Sequence, residues 1–77
     1  MTVTREQLLK LFVDSGVKRE IVDGLDPSEP LTGQGVDSVD YQAIMASIEE
    51  QLAIKISGET ACTLKTLEDF ERVLNNS

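Results

Sequence analysis

Histidine is absent from this sequence, and cysteine occurs once, at Cys62. Without histidine, His-based catalytic triads and most transition-metal sites are excluded. A lone cysteine rules out an internal disulfide, a zinc cluster and a CxxC redox pair, so Cys62 is read as a small packed residue. Aromatic side chains are scarce too, with only Phe12, Tyr41 and Phe70. The core must therefore rely on Leu, Ile and Val, and 77 residues leave limited room for a deep enzyme cleft. No apolar run approaches the length of a membrane span. Residues 1–10 carry neither an apolar targeting core nor an Arg/Ser-rich transit pattern. A soluble, reducing, cytoplasmic setting without membrane insertion is expected.

Basic residues are missing from the middle of the chain. After Lys18 and Arg19 the next Lys or Arg is Lys55, and the gap holds Glu20, Asp23, Asp26, Glu29, Asp37, Asp40, Glu49 and Glu50. The whole chain carries 14 acidic and 7 basic residues, a net charge of −7. Such a surface repels nucleic acid and anionic membranes and steers basic proteins toward it. Total charge alone fits any solubilising surface. A central segment of one sign is less easily explained that way.

The apolar pattern is helical throughout. Thr4 and Gln7 form a T-x-x-Q capping signature ahead of Leu8, Leu9, Leu11 and Phe12, and Gly16 supplies a stop. A long connection, about 17–36, follows. It contains Asp26-Pro27, Glu29-Pro30 and Gly33-Gln34-Gly35, with Ile21, Val22, Leu25 and Leu31 pinning it to the core. Loops of that length tend to be functional. A second helix starts at Asp37 or Ser38 and runs to about Leu52, burying Tyr41, Ile44, Ile48 and Leu52. Glu59 to Cys62 form one short helical turn. A cap at Thr66-Leu67-Glu68-Asp69 opens a last helix that turns Leu67, Phe70, Val73 and Leu74 inward. The expected fold is all-α: a small bundle of three main helices plus one short helix, with a long first loop, in a single domain over 1–77.

Ser38 lies where the loop meets the second helix. Free N–H groups and the helix dipole make that end favourable for an attached phosphate. With no histidine and Lys55 far away in sequence, Ser38 lacks a general base and is poorly equipped as a catalytic nucleophile. It is better placed to receive a phosphate-linked group from another enzyme. Asp-Ser before an apolar helix is by itself an ordinary N-cap pair. Its context carries the weight.

That context, from about Arg5 to Leu74, resembles the acyl carrier protein family. The signature there is Asp-Ser-Leu with a Gly two residues before the Asp. Gly35, Asp37 and Ser38 match it, with Val39 in place of Leu. Asp40, the run Ile48 to Leu52, Ile54 to Ser57, and Leu64 to Phe70 resemble further family segments. The resemblance implies a free-standing, non-enzymatic carrier. A phosphopantetheinyl transferase, using coenzyme A and Mg²⁺, would link 4′-phosphopantetheine to Ser38, with Asp37 flanking the attachment point. The thiol of the arm would then carry acyl groups as thioesters for fatty acid, polyketide or related biosynthesis.

The second helix would be the docking surface for acyl-transferring or condensing enzymes with basic patches. Val39, Ala43, Ala46 and Glu50 share one exposed helical face, flanked by Asp40, Ser47 and Glu49. Glu49 and Glu50 fit an ordinary solvated face equally well. The buried face of the second helix, with Ile54, Ile56, Ala61 and Leu64, lines a cargo cavity in this reading, or else simply packs. Three positions depart from the family pattern: Gln34 replaces an apolar Leu, Val39 narrows the contact after the serine, and Ala43 removes a frequent Glu. They point to a specialised carrier. The chain is expected to be a monomer that binds no metal and no nucleic acid. Two rival readings are a peptidyl or aminoacyl carrier, and a small acidic interaction module in which Ser38 is only a cap. A calcium loop over 26–37 is set aside, because it lacks alternating ligands and contains prolines.

Overall fold

Thr4 opens the first helix, α1 (Arg5–Asp14), through a reciprocal cap. The Gln7 N–H donates to Thr4 Oγ1 at 3.2 Å, and the Thr4 N–H donates to Gln7 Oε1 at 2.9 Å. The far end closes on Gly16, whose φ of 109° is left-handed. There the Val17 N–H reaches back to the Phe12 carbonyl and the Gly16 N–H to that of Val13, a Schellman ending. The structure, a computed structural model, describes residues 2–76. Among them no strand occurs, and the bundle is all-α as expected.

The connection after α1 is more ordered than the sequence suggested. It contains a short helix, α2 (Arg19–Asp23), and a 3-10 helix, Leu31–Gln34. Lys18 gives α2 no side-chain cap, so burial of Val22 holds it. The rest of the connection is strapped to the far side of the bundle. The Leu31 N–H donates to the Lys65 carbonyl at 2.8 Å, and the Glu68 N–H donates to that of Pro27 at 3.2 Å.

The central helix, α3 (Ser38–Leu52), buries Ile44 and Ile48, with Tyr41 and Leu52 half-buried at its margins. It ends on Ala53 in the left-handed region, φ 55° and ψ 31°. After it come α4 (Gly58–Ala61), shifted by one residue from the expected turn, and α5 (Leu67–Asn75). Thr66 caps α5 in a box with Asp69. Leu67, Phe70 and Leu74 point inward, as the period requires. Phe12 of α1 meets Phe70 of α5 edge-on, with ring centroids 5.4 Å apart and planes at 77°. Aliphatic side chains fill the space around this pair, among them Leu8, Leu31, Ile44 and Leu64.

The chain ends are joined as well. The Val3 N–H donates to Asn75 Oδ1 at 2.7 Å, and Asn75 Nδ2 donates to the Val3 carbonyl at 3.2 Å. Arg5 on α1 pairs with Glu71 on α5 at 2.8 Å.

Candidate functional site

The approach to Ser38 is shaped by a glycine and a buried valine. Gly35 follows the 3-10 helix with φ 102°, a conformation that L side chains rarely adopt. A Cβ there would also lie 3.0 Å from Ile21 Cδ1. Val36 is then driven into the core, so the backbone at Asp37 and Ser38 is delivered to the surface in a fixed place.

Asp37 is the N-cap of α3. Its Oδ1 accepts from the Asp40 N–H at 2.9 Å, and Asp40 Oδ2 accepts from the Asp37 N–H at 3.1 Å. Both carboxylates are thus engaged in fixing the first turn. Ser38, the next residue, is exposed, and its hydroxyl makes no hydrogen bond among the described residues. The Ser38 and Val39 N–H groups belong to the first turn and have no helical acceptor. An ester-linked phosphate on Ser38 would therefore meet free donors and the positive end of a 15-residue helix. The donor set fits such a group.

Val39 is 70% exposed, the single large hydrophobic residue so exposed among those described. Ala46, Glu49 and Glu50 are also exposed, and Ala43 is half-buried. Besides Ala43, two further members of the expected docking set are less free. Asp40 spends one oxygen on the cap. Ser47 is half-buried against α1, its hydroxyl hydrogen-bonded to that of Ser15 at 2.7 Å.

An open, mainly apolar cleft of about 400 Å³ lies between α3 and α4, lined by Tyr41, Gln42, Met45, Ala61 and Cys62. Gln42 and Met45 stand four and seven residues after Ser38, which puts them on its side of α3. The helical spacing was readable, although Gln42 and Met45 were not singled out. Of the residues expected around a cargo cavity, Ala61 and, from the buried face of the second helix, Tyr41 line this cleft. Leu64 belongs to the closed core, and Ile56 borders a separate depression with Lys55 and Arg72. Ile54 is half-buried against the core. Cys62 is exposed at the cleft and is not packed, because α4 ends there and Leu64 takes the inward position.

Tyr41 lines the cleft, and its hydroxyl donates to the Lys65 carbonyl at 3.4 Å. Desolvation, reinforced by the nearby Asp69 carboxylate, raises its pKa above the ordinary 10.0. Asp69 itself feels an upward push from desolvation. Hydrogen bonds from Arg72, Lys65 and Thr66 together outweigh that push and hold its carboxyl below the ordinary 3.8.

Gln34 is the residue whose role sequence reasoning missed. Its Oε1 accepts from the Asp26 N–H at 2.7 Å, and its Nε2 donates to the carbonyls of Asp26 and Glu29, both at 3.1 Å. Nearby, Asp26 Oδ1 accepts from the Ser28 N–H and hydroxyl, which lowers the Asp26 pKa. An apolar residue at 34 would leave those loop groups to water.

Among the described residues no group of three or more His, Cys, Asp or Glu side chains is arranged to hold a metal. No helix among them is long and apolar enough to cross a membrane. The sequence profile described as phosphopantetheine attachment site matches residues 7–74, from the first turn of α1 to the last turn of α5. No curated protein and no solved structure gives a significant match.

Proposed function

This chain belongs to the phosphopantetheine attachment site family, that of the acyl carrier proteins, and from that premise we propose that Ser38 is its attachment point. Members of the family bind 4′-phosphopantetheine covalently and are carriers without catalysis of their own. When bound, the group supplies a terminal thiol that holds cargo as a thioester. This chain's part is to present the arm, shelter its cargo and dock to successive enzymes.

One observation carries the assignment of Ser38: an unengaged hydroxyl on the first turn of α3, beside free N–H groups. The mainly apolar cleft on the same side of α3 favours an acyl cargo, fatty or polyketide, over a charged aminoacyl one. Val39, Ala46, Glu49 and Glu50 form the exposed part of the docking face, with Asp40 and Ala43 at its edge. Their acidic members suit phosphopantetheinyl transferases and acyl-transferring enzymes that present basic patches. Encounters of that kind are fast and reversible, as a shuttle requires. The chain then acts as one carrier domain in the cytoplasm, where an exposed single thiol such as Cys62 stays reduced.

The test is intact mass after incubation with coenzyme A, Mg²⁺ and a broad-specificity phosphopantetheinyl transferase. The wild-type chain should gain one phosphopantetheine and Ser38→Ala none. A wild-type chain that stays unmodified, or a Ser38→Ala chain that gains the group, would overturn the assignment.

A further inference from the structure

We infer that Gln34 is a positioning residue for the modification of Ser38, acting as a cross-brace between the 26–30 loop and the segment that leads into α3. The inference rests on the reading of Ser38 as the attachment point.

Two sets of bonds anchor the loop. At its far side the Pro27 carbonyl accepts from the Glu68 N–H of α5, and just beyond the loop Leu31, the first residue of the 3-10 helix, donates to the Lys65 carbonyl. On the Ser38 side, Gln34 alone among the described side chains bridges back to it by hydrogen bonds, through Asp26, Glu29 and, at 3.5 Å, Pro30. Every one of these partners is a main-chain group, so the brace depends on the shape of the Gln34 amide and not on a neighbouring side chain. A primary amide suits the task because it accepts and donates at once. Gln34 also ends the 3-10 helix, directly before the left-handed Gly35. Beyond it, the segment is held by the Val36 side chain and by the Val36 N–H on the Leu31 carbonyl at 3.2 Å. The brace thus sits four residues before Ser38, at the point where the chain reverses.

A transferase must accept Ser38 together with its flanking backbone. If the approach samples several geometries, only a fraction of molecules is competent to bind, and apparent affinity falls by that fraction. Once bound, the serine is the same, so turnover is unaffected. The brace therefore acts on KM for the carrier and not on kcat.

Three apo-proteins test this: wild type, Gln34→Leu and Gln34→Glu. Leu removes every polar bond of the brace, and Glu keeps the size and the acceptor for the Asp26 N–H but turns an anionic oxygen, with no proton to donate, on the Asp26 and Glu29 carbonyls. Each is titrated against the transferase and coenzyme A at a temperature where circular dichroism shows it folded. If the Leu variant does not fold, the Glu variant of matching shape carries the test alone. The KM for the carrier should rise roughly five- to tenfold for both variants, since each loses the donor to the Asp26 and Glu29 carbonyls, with kcat within about twofold of wild type. Amide exchange at Asp26 should quicken in the Leu variant, which also loses the acceptor. A KM within about twofold of wild type in every folded variant, or a loss borne by kcat, overturns the role of Gln34. Absence of modification in the wild type would instead defeat the attachment reading itself, a separate and visible outcome.

Discussion

Ala53 ends α3 with φ 55°, a conformation in which its Cβ crowds the backbone. Glycine relieves that crowding but adds freedom to the unfolded chain, so the two effects oppose each other. The steric effect is the larger at a helix stop, and Ala53→Gly should raise stability by about 0.5–1 kcal/mol. A denaturant titration checks this, and a lowered midpoint would count against it. Gly35 is the opposite case, because φ 102° and the approach of Ile21 both require glycine. The contrast matters for Ser38. The turn before it is held by a residue that has no substitute, whereas the turn after its helix tolerates a poor one. Residue by residue, precision is concentrated on the approach to the candidate attachment point.

Between elements, the caps do much of the positioning. Asp69 joins the entrance of α5 to its own first turn, accepting from the Lys65 and Thr66 N–H groups and pairing with Arg72. Its folded pKa lies below the ordinary 3.8, so the folded state favours the ionised form. That contribution is present above the unfolded pKa and is lost as pH falls through the folded value. Asp69→Asn should therefore lower the melting temperature at neutral pH and show a shallower loss below about pH 4 than wild type. Parallel acid slopes for the two proteins would remove Asp69 from the account. Such caps were legible at Thr4 and Thr66 because a cap is an exchange between residues three apart. The box formed by Asp37 and Asp40 was only half read: the sequence showed Asp37-Ser38 as an ordinary N-cap pair, and the structure adds the reciprocal bonds with Asp40. Less was legible elsewhere, for physical reasons. The helix α2 has five residues, too few to display a 3.6-residue period. Gln34 binds main-chain groups five and eight residues away, which residue identity does not reveal. Cys62 looked like core because cysteine usually is, but the inward position at that turn went to Leu64.

At the scale of the molecule, a small aliphatic core closes around Phe12 and Phe70, with Tyr41 tilted against Phe70, so the assembly has little redundancy. The clasp between Val3 and Asn75 adds something of another kind, since it brings residues 72 positions apart within hydrogen-bonding distance. In topological terms the fold is nearly a ring, and the backbone need not be open at that point. A circular permutant that links Asn75 to Val3 by a short flexible bridge and opens the chain at the exposed Lys55 should keep its helical circular dichroism and a cooperative melt. A featureless melt would show that the clasp does not preserve the fold. The same closeness governs how the domain would hang from any polypeptide attached to it. Extensions at either end would leave from one patch, so a pull along them would load the clasp and spare the bundle. The domain would then swing from its tether as a pendant, free to turn the Ser38 face from one enzyme to the next.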